Sequence, residues 1–315
     1  MSPRAKTAIR VGVSAALLAA VVWKVQARRV VPLLLGIDVR LLAAAALAYG
    51  ACQLVSAARW RTLLLALRAP RRPIASLFGT YLVGMFFNNV LLGTVGGDVV
   101  KAILVRPAVG GAAAVLGVGL DRLFGLMAMS LLWLGCLAHV LAGADTPVPP
   151  PLVVASTMLA FLILCLGAVL ALPPSRRGAL ALAGAVLPAR LAAGVRRASD
   201  ALDACAGDGR RVAAAFGLAL AVQVGNIAVY VLLAAALDLH AGAAFLALFY
   251  PVATLATLVP VSVGGVGLRE NVAATLFAAA GRDPAQGVSL ALAWFGVTVG
   301  WSLVGGVLFA AGRRS

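Results

Sequence analysis

Long apolar runs separated by short basic or proline-rich intervals set the pattern of this chain. A helix needs roughly 17–25 mostly apolar residues to cross a bilayer. Six runs meet that need: about 9–26, 41–58, 118–141, 152–172, 212–237 and 288–310. Two further apolar segments, about 74–104 and 244–280, are interrupted by glycine. The first carries Gly93-Thr94-Val95-Gly96-Gly97-Asp98 and runs on to Lys101; the second carries Pro260-Val261-Ser262-Val263-Gly264-Gly265 and runs on to Arg269 and Glu270. A shift of 168 positions superposes Thr94 on Ser262, Gly96-Gly97 on Gly264-Gly265 and Lys101 on Arg269. Paired, glycine-broken apolar segments in the two halves of a membrane protein point to a transporter's binding site.

Charge decides how the broken segments run. Lys and Arg collect in cytoplasmic loops. The interval 59–73 holds Arg59, Arg61, Arg68, Arg71 and Arg72, and 173–211 holds seven arginines, so both are expected inside. The intervals 142–151 and 238–243 hold neither Lys nor Arg and are expected outside. Counting crossings then makes 74–104 a hairpin that leaves and returns on the cytoplasmic side, and 244–280 one that does so from the outside. Both termini are expected in the cytoplasm. The interval 24–40 fits poorly, because it should be external yet carries Lys24, Arg28, Arg29 and Arg40; an interfacial amphipathic stretch would account for it. The expected fold class is an all-α polytopic membrane protein with about six spans and two inverted re-entrant hairpins, in a single domain over residues 1–315.

Composition sharpens this picture. The chain is 63% hydrophobic with a mean hydropathy of +1.05, against about 45–50% apolar residues in soluble domains. The net charge of +16 is spread between apolar runs, which suits topology better than nucleic-acid binding. Arg and Lys beside the first run, where a cleavage site would lie, favour an uncleaved helix over a signal peptide. Cys52, Cys136, Cys165 and Cys205 are scattered, with no metal or disulfide spacing.

Charge placed mid-membrane costs roughly 2.5–3.5 kcal/mol on insertion scales, so such residues pair or serve a function. Here they gather around the repeat. Arg122, Arg269 and Lys101 are candidates to meet phosphate, arginine offering two parallel donors. Asp98, Asp121 and Glu270 are candidates to balance them, and Asn88 and Asn271 are further candidate contacts. Gly96, Gly97, Gly264, Gly265 and Pro260 are the expected breaks, and a half-helix after each Gly-Gly would aim its positive end at an anion. The bland alternative is a set of salt bridges that lock two hairpins together. Tyr81, Tyr250 and Trp294 read as interface anchors or packing. His139 and His240 stand far from any Cys, and no Gly-Lys-Ser/Thr follows the glycines, so neither a metal nor any cofactor is expected.

At these residues the sequence resembles the membrane region of lysylphosphatidylglycerol synthases and their standalone flippase-like relatives. The matching stretches are Arg59-Trp60-Arg61; Tyr81-Leu82-Val83-Gly84 through Asn88; Gly93 through Asp98; Asp121-Arg122 with Gly125; and Pro260 through Gly267 to Arg269-Glu270. One departure is Leu92, where relatives commonly carry proline. The resemblance implies a bacterial inner-membrane protein that moves a lipid headgroup between leaflets. Its aminoacyltransferase domain has no counterpart in these residues, so lipid synthesis is not expected of them.

The expected cargo is an anionic or aminoacylated phospholipid, or a polyprenyl-phosphate lipid, with a homo-oligomer left open. A membrane glycosyltransferase or accessory protein acting on polyprenyl-phosphate sugars is the alternative. It would need an external acidic pair, whereas Asp145, Asp238 and Asp283 each stand alone in sequence.

Overall fold

A computed structural model describes residues 27–90, 96–142, 150–171, 178, 200–256 and 267–312. The described residues are helical with no strand, as the apolar pattern predicts. The helices are α1 (Ala27–Leu35), α2 (Val39–Ala66), α3 (Ile74–Val90), α4 (Gly96–Val109), α5 (Gly111–Leu141), α6 (Pro150–Ala171), α7 (Gly209–Ala236), α8 (Ala243–Ala256), α9 (Leu268–Ala279) and α10 (Pro284–Gly312). Four of them, α2, α5, α7 and α10, are long and apolar enough to cross a bilayer, and α6 contains a shorter apolar stretch. The expected span at 9–26 and the breaks at Pro260, Gly264 and Gly265 lie outside the described residues.

A long helix, two short limbs and a second long helix recur in that order in α2–α5 and α7–α10. Helices α2 and α7 are both 28 residues long and pack along each other. They run antiparallel. The Asp38 N–H donates to the Ala236 carbonyl at 2.8 Å, joining the start of α2 to the end of α7. Leu63, Ala66 and Leu67 at the other end of α2 cluster with Ala215 of α7.

Each pair of short limbs closes on itself. Leu77 of α3 shares a core cluster with Val105 and Val109 of α4, and the rings of Phe245 (α8) and Phe277 (α9) lie 5.1 Å apart. The first hairpin therefore opens at the end where α2 finishes, and the second at the end where α7 finishes. Because α2 and α7 are antiparallel, the hairpins dip in from opposite ends. That is the inverted arrangement expected from charge. Irregular backbone at such depth is tolerated where protein or a cavity surrounds it.

Close backbone contact holds the first hairpin. A Cβ on Gly97 would lie 1.9 Å from the Gly84 carbonyl oxygen, and one on Gly84 would lie 2.5 Å from Lys101 Cγ. Helix α10 packs against a limb of each hairpin.

Several boundaries differ from expectation. Arg59 and Arg61, read as loop residues, belong to α2, which continues to Ala66. Arg59 is buried. A paired arginine can stay inside an apolar helix, and hydropathy alone ends the helix too early. The first hairpin extends to Val109, and α5 begins at Gly111 rather than near 118. Gly96 and Gly97 form the first turn of α4 rather than preceding it. The stretch 24–40 contains α1, which exposes Arg28 and Arg29 while Val30 packs on Ala285 and Val288 at the mouth of the second hairpin. That matches the amphipathic stretch.

Candidate functional site

The limbs α3 and α4 of the first hairpin face α2, α5, α7 and α8 across a cavity of about 280 Å³. Its walls carry five ionic side chains. Arg59 Nε donates to Asp121 Oδ1 at 2.8 Å, and Arg122 Nη1 donates to Asp98 Oδ2 at 2.6 Å. The Lys101 ammonium lies 2.9 Å from Asp98 Oδ1 and 3.8 Å from Asp121 Oδ2, joining the two pairs. The Tyr81 hydroxyl donates to Asp121 Oδ2 at 3.4 Å. Lys101 Nζ also sits 4.4 Å from the centre of the Tyr81 ring, a distance that favours cation–π attraction.

Helix geometry explains who meets whom. Asp98 and Lys101 are three apart and share a face of α4. Asp121 and Arg122 are adjacent on α5 and diverge, so Asp121 turns to α2 and Arg122 to α4. In their ordinary ionic forms the three cations and two carboxylates leave one net positive charge. Arg59, Lys101 and Asp121 are buried, while the Arg122 side chain is one-third exposed. Arg122 is thus the most exposed cation of the cluster.

The opposite wall is neutral and polar. Gln223 of α7 donates through Nε2 to the Gly125 carbonyl at 2.7 Å and accepts from the Tyr250 hydroxyl through Oε1 at 2.5 Å. Asn226 Nδ2 donates to that hydroxyl at 2.9 Å. Laying α2 on α7 superposes Gln53 on Gln223, Ser56 on Asn226 and Trp60 on Tyr230, all buried. Laying Ile74 on Ala243 superposes Tyr81 on Tyr250. The ring pairs repeat too, Trp60–Tyr81 at 6.4 Å and Tyr230–Tyr250 at 5.6 Å. Both glutamines and both tyrosines line the cavity, so the inverted repeat is centred there.

The ionic residues break that symmetry. Laying α5 on α10 places Trp294 and Phe295 opposite Asp121 and Arg122, and laying α2 on α7 places Val229 opposite Arg59. Trp294 stacks on Tyr230 at 4.2 Å in the main apolar core. The charged wall therefore comes from the first unit.

Five of the eight candidate contacts meet at the cavity: Asn88, Asp98, Lys101, Asp121 and Arg122. Arg269, Glu270 and Asn271 do not line it. Glu270 Oε2 accepts from the Gly267 N–H at 2.6 Å, and Asn271 Nδ2 donates to the Gly267 carbonyl at 2.8 Å, so both fasten the start of α9. Arg269 is buried, 3.8 Å from Glu270 Oε1 and 5.4 Å from the Phe295 ring centre. One N–H at the start of each half-helix is capped by a side chain: Asn88 Oδ1 accepts from the Gly97 N–H at 2.7 Å, as Glu270 does at Gly267.

Tyr81, Tyr250 and Trp294, read as anchors or packing, all pack against neighbouring rings, and the two tyrosines line the cavity as well. Arg59, Gln53 and Gln223 escaped the sequence reading. A glutamine at the same place in each of two 28-residue apolar helices was the available signal. Among the described residues no cluster of His, Cys, Asp or Glu has the makings of a metal site.

Comparison with curated proteins and with solved structures found no match. The sequence does match the family described as the lysylphosphatidylglycerol synthase TM region, over residues 7–306. With nearly the whole chain covered, the protein belongs to that family of membrane domains.

Proposed function

We propose that this chain moves an anionic or aminoacylated phospholipid, or a related lipid-linked phosphate, between the two leaflets of a bacterial inner membrane. The observation that carries this reading is the cluster of three cations and two carboxylates that α2, α4 and α5 bring to one cavity, facing Gln223 of α7 and Tyr250 of α8. One unit of net positive charge within apolar surroundings attracts a phosphate diester strongly, because screening by water is weak there. Arg122 supplies the donors and Asp98 holds it in place until a phosphate competes. Asp98, paired with Arg122 and Lys101, then stays neutralised by Lys101. An aminoacyl ammonium on the same headgroup finds Asp98 and the hydroxyl and amide oxygens of Tyr81, Gln53 and Gln223 close by. Rocking of the two units about the cavity exposes it to each face in turn, the behaviour common to inverted-repeat transporters. The end bearing Arg68, Arg71, Arg72 and Arg106 faces the cytoplasm, as the placement of basic residues argues. No chemical step on the lipid is assigned to the protein.

Proteoliposomes with fluorescent phosphatidylglycerol test the reading. Wild type is expected to expose inner-leaflet label to an outside quencher faster than empty vesicles, and Arg122→Ala to remove most of that rate. Identical rates for wild type and empty vesicles sink the proposal.

A further inference from the structure

A cavity of about 280 Å³ lies at the small end of ligand sites, which span roughly 300–1,000 Å³. It holds a headgroup and leaves no room for acyl chains, so the chains have to stay in the bilayer beside an opening in the wall. A groove of about 380 Å³ between α4 and α5 has the right position. Its walls are Val99, Ala102 and Ile103 on one helix and Ala114, Val115 and Val118 on the other, spaced so that each set shares a helical face. Val99, Ile103 and Val115 are 52%, 61% and 65% exposed, turned toward lipid.

Charge marks the two ends of this groove. Arg106, in the last turn of α4, stands at the outer end beside the Gly110 turn. Asp98 and Arg122 stand at the inner end, and both also line the central cavity. Eight residues of helix separate Asp98 from Arg106, about 12 Å. One leaflet's hydrocarbon is about 15 Å deep, half of the roughly 30 Å core. The groove thus spans nearly one leaflet, from a cation near the surface to a cation at mid-membrane. A larger apolar groove between α2 and α10, about 820 Å³, shares no residue with the central cavity and carries no ionic side chain.

We propose that the α4–α5 groove is a lateral portal for a phospholipid of the leaflet on the first hairpin's side. Arg106 takes the phosphate diester first. The acyl chains lie on Val99, Ile103 and Val115 while the headgroup travels inward to Arg122. This rests on the transport reading above and adds the route, the leaflet of loading and the residue that receives the lipid.

Gly119 lines the groove, and a Cβ there would meet nothing within 4 Å. Gly119→Trp therefore fills the groove without moving backbone. Leu47→Trp, on the α2–α10 groove, is the control that places the same indole in the other groove. Phosphatidylglycerol carrying a photoreactive diazirine on one acyl chain, in vesicles with the purified wild-type protein, is expected to label α4 and α5 between residues 99 and 118. Gly119→Trp should cut that labelling at least fivefold and Leu47→Trp should not. In the fluorescent-lipid assay Gly119→Trp should lower the rate at least fivefold, with Leu47→Trp within twofold of wild type. Arg106→Ala should reduce labelling by an anionic lipid and leave labelling by a phosphate-free diacylglycerol probe unchanged. Labelling that ignores Gly119→Trp, or a Gly119→Trp protein that transports normally, overturns the portal. Labelling as expected by a wild-type protein that moves no lipid keeps the binding groove and rejects transport instead.

Discussion

Arg59 and Asp121, 62 positions apart in sequence, meet at 2.8 Å and join the first long helix to the third element packed on it. Both are buried, and Lys101 approaches the other oxygen of Asp121. A buried charge that loses its partner destabilises a protein by about 3–5 kcal/mol. Asp121→Ala is therefore expected to lower the thermal midpoint of detergent-purified protein sharply. The pair replaced together, as Arg59→Met with Asp121→Leu, should recover at least half of the loss. A double variant as unstable as the two single losses added together would show that the pair is not coupled.

Arg122 and Arg269 are expected to separate function from stability. Arg122 is one-third exposed, and Lys101 still pairs with Asp98 when Arg122 is removed, so no buried carboxylate is left alone. Arg122→Ala should leave the thermal midpoint within a few degrees and reduce lipid transfer at least tenfold. Arg269 sits in the α9–α10 contact, away from the cavity. Arg269→Met should lower the midpoint and keep transfer per folded molecule within about twofold of wild type. The reverse outcome would move the site to the second hairpin.

Hairpin closure depends on the absence of a side chain at Gly97. Its Cβ would meet the Gly84 carbonyl oxygen, which belongs to backbone and cannot swing away. Overpacking of this kind costs about 1–3 kcal/mol, occasionally more. Gly97→Ala is expected to lose folded yield on size-exclusion chromatography. Gly79→Ala, with nothing within 4 Å, should behave as wild type. Equal behaviour of the two would rule out the tight α3–α4 contact.

Sidedness follows from the inverted hairpins. In a background free of the four native cysteines, Arg71→Cys and Arg106→Cys should react with an impermeant maleimide from one side of the membrane. Arg282→Cys, beside the His240 carbonyl at the mouth of the second hairpin, should react from the other. Labelling of positions 71 and 106 from opposite sides would abolish the re-entrant fold.

Much of the architecture was legible in the chain because membrane insertion is governed by local quantities. Run length, glycine breaks and loop arginines are each properties of a short window, and together they predicted the long helices and two opposed hairpins. Helix ends were less legible. Arg59 and Arg61 look like loop charge to any window average, yet Arg59 stays in α2 because Asp121 neutralises it.

The site was half legible for the same reason. Asp98, Lys101, Asp121 and Arg122 stand out as charges in apolar surroundings, wherever the fold puts them. Arg269 and Glu270 stand out equally and are spent on the start of α9 and its packing. Gln53, Gln223, Tyr81 and Tyr250 carry no charge and merge into apolar helices.

What the amino-acid order determined alone is the membrane class, the repeat and the cost that forces every intramembrane charge to find a partner. Which partner each one finds was decided by the tertiary structure. Burial sets only the demand for an opposite charge, whereas helix crossing and hairpin closure set the distances. Those distances brought three cations and two carboxylates of the first unit to one cavity and left the second unit's arginine in its core.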